Sequence, residues 1–147
     1  MNDVTDRAER RTATILVLDD DIDLRSGTVR ALARSGHRVL AAATAAEALR
    51  IAAEWPAAID LLICDLVLPG LGGREAANTL QAHRPGMKVL FVSGYSSHDS
   101  FRRDVAESGS PFLGKPFDLA ALGEATDALL AGGRWPVTSA MPGEAAL

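Results

Sequence analysis

Ile15-Leu16-Val17-Leu18-Asp19-Asp20-Asp21 is the stretch that decides the architecture. Four consecutive aliphatic residues give an extended segment apolar side chains on both faces, which suits a central strand of a parallel sheet covered on both sides. The run stops abruptly at three aspartates. Beyond them the period changes: Ile22, Val29, Leu32 and Ala33 fall on one helical face, and Gly36 stands where a left-handed residue closes a helix. Gly27 inside that helix costs roughly 1 kcal/mol relative to alanine.

The same alternation continues outward. Val39–Ala43 reads as a second, weaker strand, and Thr44-Ala45-Ala46-Glu47 matches a capping box opening a helix that carries Ala48, Leu49, Ala52 and Ala53. Asp60–Cys64 is a third strand running into Asp65. Leu68–Gly73 is a loop by composition, and Ala76, Ala77 and Leu80 mark the next helix, closed by Pro85-Gly86. Met87–Val92 is a fourth strand ending at Ser93-Gly94. Residues 97–107 form a polar helix anchored by Phe101 and Val105, and Pro111–Gly114 a short fifth strand running into Lys115-Pro116. Asp118 caps a last helix with Leu119, Leu122, Leu129 and Leu130 on its face. Five strands alternating with helices demand right-handed crossovers, so the expected fold is an α/β doubly wound parallel sheet. Residues 1–12 read as a flexible arm, 13–131 as the domain and 132–147 as a disordered tail containing Trp135.

Composition narrows the function. With 147 residues there is room for one domain, and 48% apolar against 23% charged residues is an ordinary globular profile. The net charge of −4, without any basic run, argues against direct nucleic-acid binding. No apolar run of membrane-spanning length and no secretory signal are present, so a cytoplasmic location is expected. The single cysteine, Cys64, forms no intrachain disulfide and is read as a buried small hydrophobe; His37, His83 and His98 are isolated and make no zinc site.

The chemistry gathers at the carboxyl ends of the strands: Asp19 and Asp20 after the first, Asp65 after the third, Ser93 after the fourth, Lys115 after the fifth. Ligands of open parallel sheets bind there, where the strand order reverses. If the order is 2-1-3-4-5, three carboxylates converge beside a hydroxyl and an ammonium. Converging carboxylates resist joint ionisation unless a hard cation joins them, and Mg²⁺ takes a few carboxylate oxygens while keeping waters. Such a set suits phosphoryl transfer, which needs positioning and charge neutralisation. Asp21, by contrast, reads as a helix N-terminal acid.

Four blocks carry a family likeness: Val17–Asp21, Cys64-Asp65-Leu66-Val67-Leu68-Pro69-Gly70, Phe91–Gly94 and Phe112-Leu113-Gly114-Lys115-Pro116-Phe117. In this order and spacing, from about Ile15 to Leu130, they resemble response-regulator receiver domains. The resemblance implies a flavodoxin-like sheet in the order 2-1-3-4-5 and Asp65 as phosphoacceptor. It implies Mg²⁺, with Mn²⁺ as a substitute, on Asp19, Asp20, Asp65 and the Val67 backbone carbonyl. Ser93 and Lys115 would contact the phosphoryl group, Phe112 would be the switch aromatic, and Lys115-Pro116 would be a cis peptide. Val67 and Tyr95 would flank the path of attacking water and slow hydrolysis.

The function so implied is a single-domain response regulator. It would take its phosphoryl group from a histidine kinase or phosphotransfer protein and signal to a downstream protein through the fourth helix, fifth strand and fifth helix. It would act as a monomer or phosphorylation-dependent dimer, promoting only its own modification and hydrolysis. The alternative is an unphosphorylated interaction module of the same fold. A metal-dependent phosphatase lacks any sign of a substrate pocket, and neither nucleotide-binding glycine motif follows the first strand.

Overall fold

In the computed structural model, which describes residues 12–70, 72–94, 110–115 and 117–133, the elements follow the order read from the sequence. They are β1 (Thr14–Leu18), α1 (Ile22–Arg34), β2 (Arg38–Ala42), α2 (Ala45–Glu54), β3 (Leu61–Asp65), α3 (Gly73–His83), β4 (Lys88–Gly94), β5 (Phe112–Lys115) and α4 (Leu119–Leu130). The helix read over 97–107, Tyr95, Pro116 with its peptide isomer, the arm 1–11 and the tail 134–147 lie outside the described residues.

The five strands are parallel in the order β2-β1-β3-β4-β5, as the family resemblance implied. Ile15 pairs in register with Val39 on one side and Leu61 on the other, and Asp65 pairs with Val92. Alternate residues of the central strands feed opposite cores. Leu16, Leu18, Leu62 and Cys64 pack under Ala48 and Ala52 of α2 and Ala76, Ala77 and Leu80 of α3. Ile15, Val17, Leu61 and Ile63 pack under Leu32 of α1 and Leu122, Ala125 and Leu129 of α4. Both faces of β1 and β3 are therefore buried, which is what their unbroken apolar runs require.

Local signals start the helices. Asp21 caps α1, its carboxylate accepting from the N–H groups of Asp23 at 3.0 Å and Leu24 at 3.2 Å. Asp118 caps α4 through Ala121 N–H at 2.7 Å. Thr44 accepts from Glu47 N–H at 3.1 Å, while Glu47 reaches back to Ala43 N–H at 2.8 Å, one residue before the cap itself. Gly36 adopts φ 95°, the left-handed value anticipated for it.

Two helix faces differ from the expectation. Ile22 and Leu119 are exposed at 64% and 55%, and Ala33 is exposed as well. The core faces are Thr28 and Leu32 on α1, and Leu122, Ala125, Thr126 and Leu129 on α4. Ile22 and Leu119 are first residues of their helices, beyond the reach of the sheet that the later turns cover.

Candidate functional site

Strands β1, β3, β4 and the edge strand β5 each deliver one part of the site at the carboxyl end. Asp19, directly after β1, is 5% exposed and is held on every side. Its N–H donates to Ala42 O at 3.1 Å, and its carbonyl accepts from Arg25 Nη1 at 2.8 Å. Oδ1 accepts from Asp21 N–H at 3.0 Å, and Oδ2 accepts from Lys115 Nζ at 3.0 Å. Asp20 is exposed at the rim. Asp65, the last residue of β3, is 7% exposed, with Oδ1 accepting from Val67 N–H at 3.1 Å and Oδ2 from Lys115 Nζ at 3.1 Å.

Lys115 thus bridges two buried carboxylates from the end of β5. Burial pushes the Asp65 carboxyl above the ordinary carboxylate range; Lys115 and the Val67 N–H oppose this, and the Asp19 charge reinforces it. Burial alone would lower the Lys115 ammonium, but Asp65 and Asp19 together outweigh it and hold the group above its usual value. Burial, joined by the same two aspartates, pushes the Cys64 thiol upward. That thiol lies 3.5 Å from the Asp65 and Gly73 carbonyl oxygens, so it is a packed, protonated group and not a nucleophile.

Ser93 is fully buried in β4, in register with Gly114 and one residue past Val92, the partner of Asp65. Phe112 is 4% exposed, opposite Phe91, and belongs to the core beneath α2 and α3. Val67 is 36% exposed at the mouth of the loop that follows Asp65.

The donor set meets the demands of a hard cation. Asp19, Asp20 and Asp65 each present a carboxylate oxygen, all within 4.8 Å of one another, and neither histidine nor cysteine joins them. Oxygen-only clusters of this kind favour Mg²⁺-like ions over zinc.

Three contributors were not singled out in the sequence. Arg25 sits one turn inside α1 and ties the Asp19 backbone. Gly73 opens α3, where composition reads only as loop, and its N–H donates to Leu66 O at 2.9 Å. Asp60 steadies the far end of the sheet by accepting from Thr14 N–H at 2.9 Å. Only a charged residue one helical turn from an N-cap hints at the first.

Known proteins fall into line with this geometry. The response regulator receiver domain family matches residues 15–127. Sensor kinase CckA of Brucella abortus (strain 2308) is 38% identical over 112 residues, covering 76% of this chain and 12% of that protein. The response regulator receiver protein CpdR of the same strain is 32% identical over 108 residues, covering 74% of this chain and 88% of that one. The longer curated relatives extend well past the match, the chain spanning 12% to 49% of their length. Among solved structures, a response regulator receiver domain protein from Clostridium thermocellum superposes with a TM-score of 0.72 at 28% identity, over 82% of this chain and 95% of that one. Among the described residues, no helix is long and apolar enough to cross a membrane.

Proposed function

The chain belongs to the response regulator receiver domain family of two-component signalling, and from that premise we propose that Asp65 accepts a phosphoryl group, with Asp19, Asp20, Asp65 and the Val67 carbonyl holding Mg²⁺ or Mn²⁺. The observation that carries this reading is the convergence on Lys115: Asp19 and Asp65, separated by three segments of chain, lie 3.0 and 3.1 Å from one ammonium.

In the reaction, an Asp65 carboxylate oxygen attacks phosphorus of a phosphohistidine. A P–O bond forms, the P–N bond breaks, and the imidazole leaves with the electron pair and takes up a proton. The cation, when bound, neutralises the phosphoryl oxygens. Val67 N–H fixes one carboxylate oxygen in place. Lys115 releases its bridge and turns its charge to the incoming phosphoryl oxygens, and Ser93 supplies a hydroxyl from β4.

The donor is a histidine kinase or phosphotransfer protein, and the product signals to a downstream protein. Ser93 and Lys115 drawn toward the phosphoryl group, with Phe112 moving between positions in β5, shift the surface that β5 and α4 present to partners. Dimerisation on phosphorylation belongs to the same surface. Val67 and Tyr95 slow attack by water on the acyl phosphate.

Incubation with acetyl phosphate and Mg²⁺, read by intact mass, tests the proposal. One phosphoryl adduct is expected, absent with EDTA and absent in Asp65→Asn. An unmodified chain would sink the phosphoacceptor reading and leave an interaction module of receiver fold.

A further inference from the structure

Resting on the phosphoacceptor reading above, we propose that Gly73 is a positioning residue for the Asp65 pocket: it closes the loop that carries Val67 against the Asp65 peptide, at a distance no side chain permits. A Cβ built on Gly73 would overlap the Asp65 carbonyl oxygen and stand 2.7 Å from Leu66 Cα and 2.8 Å from the Asp65 carbonyl carbon. All three are backbone atoms, so no rotamer change relieves the clash. Either the first turn of α3 or the end of β3 must move.

Hydrogen bonds converge on the same contact. Leu66 N–H donates to Val92 O at 2.9 Å, fixing the end of β3 to β4. Leu66 O accepts from Gly73 N–H at 2.9 Å, and Cys64 Sγ lies 3.5 Å from Gly73 O. The loop 66–73 is therefore pinned at its base, and Val67, just inside that base, holds Asp65 Oδ1 at 3.1 Å. The neighbouring glycine is different. A Cβ on Gly72 would meet only Glu75 Oε1, at 3.7 Å, an ordinary contact. Gly72 is also extended, at φ −65° and ψ 151°, which alanine adopts without strain.

If the closed base favours the metal-binding arrangement of Val67 and Asp65, linkage requires the reverse as well: a bound cation must tighten the base.

The test compares the full-length parent with Gly72→Ala and Gly73→Ala. Mn²⁺ affinity is read by electron paramagnetic resonance, phosphorylation rate by acetyl phosphate with Mg²⁺, and folding by circular dichroism. Gly72→Ala should stay within roughly twofold of the parent. Gly73→Ala should bind Mn²⁺ roughly 10- to 100-fold more weakly, with the phosphorylation rate falling in step, while its helical signal persists. Parent-like Mn²⁺ affinity in folded Gly73→Ala, or an equal loss in Gly72→Ala, would overturn the proposal. A parent that takes no phosphoryl group would instead defeat the phosphoacceptor reading, and the Mn²⁺ titration would still judge Gly73. Should Gly73→Ala not fold, amide exchange on the parent decides. Metal-free and Mg²⁺-loaded samples should differ at the Gly73 N–H, slowed by Mg²⁺, and not at amides in the last turn of α3. An unchanged Gly73 amide would overturn the inference.

Discussion

Lys115 offsets only part of the cost of burying Asp65, and that shortfall sets the response of the pocket to pH. Asp65 has its pKa raised by burial, so the native chain holds that proton more tightly than the unfolded chain does. The stability contributed by the protonated carboxyl is present below the ordinary value of 3.8 and is lost as pH rises through the native-state value. At neutral pH an ionised Asp65 weighs against folding. Asp65→Asn keeps an acceptor for Val67 N–H and leaves Lys115 with Asp19, so in EDTA it should be about 1 kcal/mol more stable than the parent. Urea titrations should show this gap at neutral pH and its closure toward 3.8; a less stable mutant would contradict the account. A second residue carries a similar burden. Thr126 is 1% exposed, and among the described residues its Oγ1 finds no hydrogen-bond partner. Thr126→Val removes the stranded hydroxyl at nearly constant shape, and should gain about 1 kcal/mol. Thermal melts should register that as roughly 2–4 °C.

At the scale of elements, the starts of α1, α2 and α4 were legible because capping is local. Asp21, Thr44 and Asp118 lie within three residues of the N–H groups they accept from, so a short window of sequence holds the whole interaction. The side chain that closes the end of α2 was not legible in this way. Arg84, past the end of α3, sends Nε and Nη2 to Ala52 O at 3.1 and 2.8 Å, Nη2 also to Trp55 O at 2.6 Å, and Nη1 to Ala57 O at 2.5 Å. Its partners are backbone carbonyls 27 to 32 positions earlier, which no residue pattern marks. The guanidinium meets the negative end of the α2 dipole and satisfies carbonyls the helix itself cannot. Arg84→Met should therefore cost about 2 kcal/mol. Arg84→Lys should restore the charge but only part of the loss, because an ammonium lacks the planar fork. Urea midpoints of the two variants check the order. The apolar faces of α1 and α4 were misplaced at Ile22 and Leu119 for a related reason. Helical periodicity shows which residues share a face, but not where along the helix the sheet stops covering it.

For the molecule as a whole, the strand order came from the family resemblance, and the placement of Asp19, Asp65 and Lys115 was legible because a parallel sheet brings every strand end to one rim. The packing of Gly73 on Asp65 was not, since it depends on the path of a loop that composition leaves open. The shared rim also predicts a response to metal. A cation bound only by the native cluster of Asp19, Asp20 and Asp65 must stabilise the fold, by about 2.7 kcal/mol at a hundredfold excess over Kd. Melts with and without Mg²⁺ should show the rise in the parent, and Asp20→Asn should lose most of it. The bridge between Lys115 and Asp19 has one more consequence, and it concerns time. Its partners stand 96 positions apart, the widest separation in the pocket. Closing a loop of that length costs more chain entropy than closing the nearer strand pairings. A nascent chain emerging from the ribosome owns its aspartates long before it owns a pocket. Lys115, the last of the pocket's residues along the chain, arrives only with the fifth strand.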